Sequence, residues 1–306
     1  MRFILASLLV LSGSAFAQDE GASASAGGIK AEFIHQAPDG KFEVTPRISL
    51  AGGELKYKNG NKYNLGGVGL DVRGEYGFSE MFSGYVSLGT ASVTAERDNC
   101  PTGVVCRDTK SSGMIDPSVG VLGAIPAGPG HVRLGADLSM ALEDHEIEDD
   151  GDQNMASGGT TLNVFAGYEM NIAQNVFGAR LGYDLYQGDR DYNDKDITAP
   201  VKYKVSGGED MNVDLYYEYW LNMVTIGGYF RYATSKESKA EANGVTVDLD
   251  DEAKATAFGV YVPVHFNDMI TLFPQVEFGS ISFEDSASTR DDMSTFELSV
   301  AGRFTF

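Results

Sequence analysis

The last thirteen residues, STFELSVAGRFTF at positions 294–306, alternate apolar and polar side chains and end on an aromatic. With the two-residue period of a strand, Phe296, Leu298, Val300, Phe304 and Phe306 fall on one face, and Glu297, Ser299, Arg303 and Thr305 on the other. The first face is too apolar to meet water, and the second carries charges that a soluble core does not bury unpaired. A wall between lipid and water needs both faces.

Working back from this strand, the same alternation recurs about twelve times, each over the ~9–11 residues of a tilted membrane-crossing strand. The apolar sets run from Val44, Ile48 and Leu50, through Ile115, Val119 and Val121, to Ile270, Leu272 and Val276. Glycine scattered through these segments, together with the period of two, excludes helices. The connections alternate in length. Tight turns are expected at 79–80, 126–130, 171–175, 221–222 and 267–268, and long polar loops at 96–112, 143–158, 187–210, 233–254 and 284–293. That pattern, with aromatics such as Tyr76, Phe78, Phe82, Tyr217 and Phe266 near strand ends, predicts an all-β fold. The expected form is a single antiparallel transmembrane β-barrel of about twelve strands, with short periplasmic turns, long extracellular loops and both termini periplasmic. A soluble β-sandwich explains the alternation but not the short-long order of the connections.

The opposite end of the chain agrees. Arg2, the apolar run 3–11 and Ala15-Phe16-Ala17 form a secretory signal with a small-x-small cleavage site, so residues 1–17 are expected to be removed. No later segment supplies the ~20 apolar residues of a membrane helix. Removing the signal takes away Arg2 and no acid, changing the formal charge from −21 to −22. That charge argues against nucleic acid or anionic lipid headgroups as partners for the exposed surface. Residues 18–42 do not continue the barrel pattern and read as a periplasmic or lumen-inserted segment, and 43–306 as the barrel. If 18–42 threads into the lumen, it is the natural plug.

At this point the residues support a family resemblance. The chain resembles Gram-negative outer-membrane β-barrel proteins, and its end is similar to the terminal signal such proteins present to their insertion machinery. Ser299, Phe304 and Phe306 fit that pattern, while its small position is shifted by one to Gly302. The resemblance implies a porin-like protein in the outer membrane. Its implied partners are outer-membrane lipid, lipopolysaccharide, the insertion machinery and small hydrophilic solutes.

Parity assigns the lumen side. The expected pore-lining residues are Arg47, Asp71, Arg73, Glu75, Asp116, Arg133, Asp137, Glu169, Arg180, Asp184, Asp214, Glu218, Arg231, Glu277, Glu297 and Arg303, with His265 on the same face. The strand-interior cations are all arginine, which pairs bidentately with carboxylates in a confined space. Ten of these residues are carboxylates and six are arginines, so acids are in excess and cations are the preferred solute. The same network could instead fill and close the barrel, since twelve strands lie between the ~8 that side chains fill and the ~16 that leave an aqueous channel.

Motifs for catalysis are lacking. Gly-x-Ser-x-Gly, the P-loop and His-Glu-x-x-His do not occur, and the only histidine beside an acid near a strand top is His145, after Asp144. The chain is therefore read as a non-enzyme without a cofactor or a dedicated metal site. Acidic loops at 146–152, 189–196 and 248–252 could bridge calcium, but the stretch from Asp189 has Asp194 where an EF-hand needs glycine. Cys100 and Cys106, alone in one polar loop of an exported chain, are expected to form a disulfide. The function expected is an outer-membrane channel for passive diffusion of small hydrophilic solutes, preferring cations. The alternative is a structural or recognition barrel with a closed lumen and acidic extracellular loops.

Overall fold

Each alternating segment forms a strand that pairs antiparallel with its neighbour in the chain, and the last closes on the first. The computed structural model describes residues 29–98, 108–148, 151–195, 201–242, 245–250, 252–283 and 290–306. Within them, twelve strands form the barrel: β1 (Phe42–Tyr57), β2 (Lys62–Gly77), β3 (Phe82–Arg97), β4 (Thr109–Ala127), β5 (Gly130–Met140) and β6 (Thr160–Ile172) come first. They are followed by β7 (Asn175–Tyr186), β8 (Asp210–Trp220), β9 (Thr225–Ser235), β10 (Ala253–Tyr261), β11 (Ile270–Phe283) and β12 (Arg290–Thr305). A short strand, Val264–Asn267, pairs with β11 beyond β10. Closure sets Ile48 opposite Val300 and Leu50 opposite Leu298 on β1 and β12. Closing the sheet removes the open edges that lipid could not hydrogen-bond.

Burial is inverted relative to a soluble protein. Leu50, Leu70, Val86, Leu88, Leu181, Leu215 and Leu298 are exposed, whereas Arg133, Glu169, Asp214 and Glu218 are fully buried. Lipid covers the first set, and the barrel interior holds the second. Exposed Tyr76, Phe78, Phe82, Tyr217, Phe266 and Phe306 gather towards the short-turn end, where amphipathic rings match an interface. Among the described residues no helix is long and apolar enough to cross a membrane.

One assignment from strict alternation is corrected. Ile115 does not face lipid. Ser87 pairs with Ser118 but Gly89 pairs with Ile115, so β4 carries a bulge at Asp116 and Pro117. One extra residue reverses the parity beyond it, sending Ile115 inward and leaving Met114 exposed outside. Proline is suited to that position because a bulge leaves a ladder donor unused.

At the long-loop end, five short strands form a second sheet in the order Val245–Asp250, Ser238–Ala242, Val201–Gly207, Arg190–Asp194 and His145–Ile147. The last two pair parallel. Tyr192, Val205 and Ala240 form its small core. Lys195 ties it to Glu146 and Glu148 at 2.7 and 2.8 Å, and these hydrogen bonds raise the lysine's pKa. Glu146 and Glu148, two of the carboxylates expected to bridge calcium, are thus engaged within the protein, and Asp152 accepts the Lys110 backbone N–H at 2.8 Å. Cys100 and Cys106 lie outside the described residues.

Candidate functional site

The barrel interior has two halves of different chemistry. In the short-turn half, residues 29–37 occupy the lumen, and 38–41 lead out past Gly77 to β1. Lys30 anchors the entry by donating to the Glu80 carbonyl at 2.7 Å, and the stretch from Ala31 to Ala37 is buried around a 3-10 turn, Glu32–Ile34. A three-residue turn leaves main-chain donors without helical acceptors, and the wall supplies them. Glu218 on β8 accepts the N–H groups of Glu32 and Phe33 at 2.9 and 2.7 Å, and Glu75 on β2 accepts that of Ala37 at 2.8 Å. Glu169 on β6 reaches the Ala31 N–H at 3.4 Å, and Arg133 on β5 donates to the Ile34 carbonyl.

Side chains of this inner segment are matched as closely. Glu32 lies 3.3 Å from His265 and 3.6 Å from Arg303, and His35 contacts Glu43. Phe33 sits among Tyr216, Tyr229 and Tyr261, with ring centroids 4.5, 5.0 and 6.2 Å away. Each of these tyrosines lies opposite a glycine of the adjacent strand: Gly178, Gly259 and Gly227 respectively. A Cβ at any of the three glycines would run into the facing tyrosine ring. Glycine therefore lets the tyrosines lie flat along the wall and leaves room for Phe33.

Between the halves, Asp214 on β8 is clamped by two arginines. Arg231 Nε stands 2.6 Å from one carboxylate oxygen and Arg180 Nη2 2.6 Å from the other. Arg47 similarly holds Asp71 at 2.8 Å, and Arg73 holds Glu75 at 2.6 Å while lying over the Tyr85 ring. Charges so deep in the barrel require this pairing, since an unpaired buried ion costs several kcal/mol.

The long-loop half contains a cavity of about 380 Å³. Its charged lining is Asp71, Asp116, Asp137, Asp184, Asp210, Glu277 and Glu297 against Arg180, Arg190, Arg231 and Lys236, seven acids to four bases. Leu65, Val93, Ile281 and Phe283 supply an apolar part of the wall. None of the residues lining it belongs to 29–41, so this segment forms a separate closure beneath.

The residues expected to line a pore all lie on the inner face but divide by height. Asp71, Asp116, Asp137, Arg180, Asp184, Arg231, Glu277 and Glu297 border the cavity. Glu75, Arg133, Glu169, Glu218 and Arg303 hold the inner segment, Asp214 and Arg47 are engaged in the ion pairs above, and Arg73 belongs with Glu75. Parity alone did not distinguish these roles, and it passed over Glu43, His131, Arg190 and Asp210. His131, fully buried 3.2 Å from Glu169, has the same parity as Arg133 and could have been included on that ground. His145 is buried in the rim sheet, its Nδ1 2.8 Å from the Ala156 carbonyl and its ring against Tyr192. In the terminal strand Ser299 faces inward and is buried, while Phe304 and Phe306 are exposed on the outer face beyond Gly302.

A family model described as the outer membrane protein beta-barrel domain matches residues 119–304. Among solved structures, an outer membrane channel from Pseudomonas putida F1 superposes with a TM-score of 0.65 at 13% identity, covering 88% of this chain and 96% of that one. The translocator domain of autotransporter NalP from Neisseria meningitidis gives a TM-score of 0.53 at 10% identity, covering 96% and 94%. The TodX deltaS2S3 mutant, a monoaromatic hydrocarbon channel, gives 0.50 at 11% identity, covering 95% and 96%. At these identities the likeness is one of fold. No curated protein sequence matches the chain.

Proposed function

The chain belongs to the outer membrane protein beta-barrel domain family, and on that footing we propose that it is a non-enzymatic, cation-preferring channel of the Gram-negative outer membrane, closed from the periplasmic side by its own residues 29–37. The single observation that carries this reading is the division of the lumen. A cavity of about 380 Å³ occupies the loop half, and beneath it the barrel is filled by a peptide that is not part of the wall. A barrel that served only as a scaffold could be filled by its own wall side chains, as small barrels are. Here the filling is a separable segment, held mainly through main-chain hydrogen bonds to wall carboxylates.

Long loops face outward in such barrels, so the cavity is the vestibule met by solutes arriving from outside. The excess of carboxylates in its lining raises the local cation concentration. Passage requires residues 29–41 to shift, and the route of exit is the turn end through which they enter.

The second reading is a permanently closed barrel that acts through its outer loops. It is favoured by the burial of Glu32, Phe33 and His35 and by the charged contacts around them. Planar-bilayer recording separates the two. The full chain should give low or intermittent conductance, and a chain lacking residues 29–41 a steady cation-selective one. Silence from both, with outer-membrane insertion intact, would favour the closed barrel.

A further inference from the structure

Resting on the channel reading above, we infer that the vestibule binds an organic ammonium ion with an apolar body, such as an aromatic amino alcohol. The geometry that supports this is the two-sidedness of the cavity wall. On the arc β5 to β8, Asp137, Asn163, Asp184 and Asp210 stand directly opposite one another in cross-strand register. Across the lumen, at the loop ends of β10, β11, β2 and β3, Ala253, Ile281, Leu65 and Val93 pack as one apolar cluster that lines the same space. A path for inorganic ions or sugars gains nothing from that apolar wall. An organic cation uses both sides: the ammonium meets the carboxylates and the body covers the apolar cluster.

The acids are available to a ligand. Glu277 faces Glu297 across adjacent strands, so a like-charge pair stands in direct register. Such a pair is destabilising unless a positive charge is supplied. Asp184 is held by the Asn163 amide and Glu277 by the Tyr229 hydroxyl, both neutral donors that leave the charge in place. Asp137, Asp184, Glu277 and Glu297 make no ion pair within 4.0 Å with a lysine or arginine among the described residues; Arg180 and Arg231 act on Asp184, Arg231 on Glu277 and Arg47 on Glu297 only from beyond that distance, and Tyr85 hydrogen-bonds Asp137.

A second and independent feature points to a ligand. Arg231, 5% exposed and part of the cavity lining, spends its Nε on Asp214, while its buried Nη2 has no hydrogen-bond partner. A buried donor left unpaired costs about 1–3 kcal/mol, more when charged, and a hydroxyl on the bound molecule would satisfy it. Ammonium, hydroxyl and apolar body are thus each matched by a different part of the wall.

The test is calorimetric titration of the full-length barrel in detergent micelles, with micelle-only blanks, using phenylalaninol as probe. Alaninol lacks its ring and 3-phenylpropan-1-ol lacks its amine. Phenylalaninol should bind saturably and about tenfold more tightly than either comparator, and Asp184→Asn should weaken it by about tenfold, the equivalent of one lost favourable contact. Glu277→Gln, on another strand, serves if the first variant fails to fold as judged by heat-modifiable migration. Equal affinity for alaninol would overturn the apolar half of the inference, equal affinity for 3-phenylpropan-1-ol the acidic half, and absence of saturable binding the whole. Binding does not require conduction. A barrel that binds phenylalaninol yet stays silent without residues 29–41 would defeat the channel reading alone, and one that conducts but does not bind would defeat this site alone.

Discussion

The carboxylate of Glu218 on β8 accepts the backbone N–H of Phe33 at 2.7 Å, and its second oxygen accepts that of Glu32 at 2.9 Å. One wall side chain thereby caps the first two donors of the 3-10 turn inside the lumen. Tyr261 and Trp220 donate to the same carboxylate at 2.7 and 3.0 Å, which fixes it in place. The contact is with the main chain, so its strength depends little on which residues occupy positions 32 and 33.

Replacing Glu218 with Ala should release the inner segment. Two buried N–H groups would lose their acceptor at about 1–3 kcal/mol each. The expected outcome in a planar bilayer is a higher open fraction than in the parent protein, with the same single-channel amplitude as the chain lacking residues 29–41. Phe33→Ala should act in the same direction, because a buried aromatic truncation costs about 3–5 kcal/mol. Unchanged gating in both variants would show that the segment does not close the path.

Asp214→Ala should weaken the barrel itself. Its carboxylate neutralises Arg180 and Arg231 together, and removing one member of a buried charged set costs about 3–5 kcal/mol. The expected result is a lower urea midpoint for the folded barrel in micelles, followed by tryptophan fluorescence of Trp220. Asp184→Asn should cost much less, since Asp184 is held by an amide and no arginine is left unpaired. Equal losses in the two variants would contradict this ranking.

Charge selectivity should depend on the cavity acids. In the chain lacking residues 29–41, converting Glu277 and Glu297 to glutamine is expected to move the reversal potential under a salt gradient towards zero. The parent preference should itself fade as salt shortens the screening length from ~30 Å at 0.01 M to ~10 Å at 0.1 M. Neutralising Glu218 is not an equivalent test, because that carboxylate holds the inner segment rather than the vestibule. Anion preference in the parent barrel would refute the inference drawn from the lining.

Deleting Phe306, or replacing it with Asp, should lower assembly in the outer membrane. Phe306 is 61% exposed at the turn end of the outer face, so a charge there would sit at the lipid boundary while disturbing no buried contact. The measurement is the outer-membrane yield of heat-modifiable protein, expected to fall while solubility of the unfolded chain is unchanged. Normal yield would remove the terminal aromatic from the insertion signal.

By itself the sequence determined the barrel. A period of two, sustained from Val44 to Phe304, places every strand side chain on the lipid or lumen face, and alternating short and long connections order the strands as neighbours. Both are local properties, which is why they are legible without coordinates. The one parity error, at Ile115, arose where Asp116 and Pro117 form a bulge, a feature that depends on the pairing partner at Ser87 and Gly89. The height of each inward residue, and its partner, could be decided only by the tertiary structure. Strand pairing sets Asp214 directly between Arg180 and Arg231 and lines up Asp137, Asp184 and Asp210 on one side of the cavity, and the inner segment brings Phe33 to Glu218. Nor could alternation reveal that residues 29–37 fold back inside, because that segment makes no ladder of its own. Its place is set by carboxylates on β2, β6 and β8, distant in sequence and brought together only when the barrel closes.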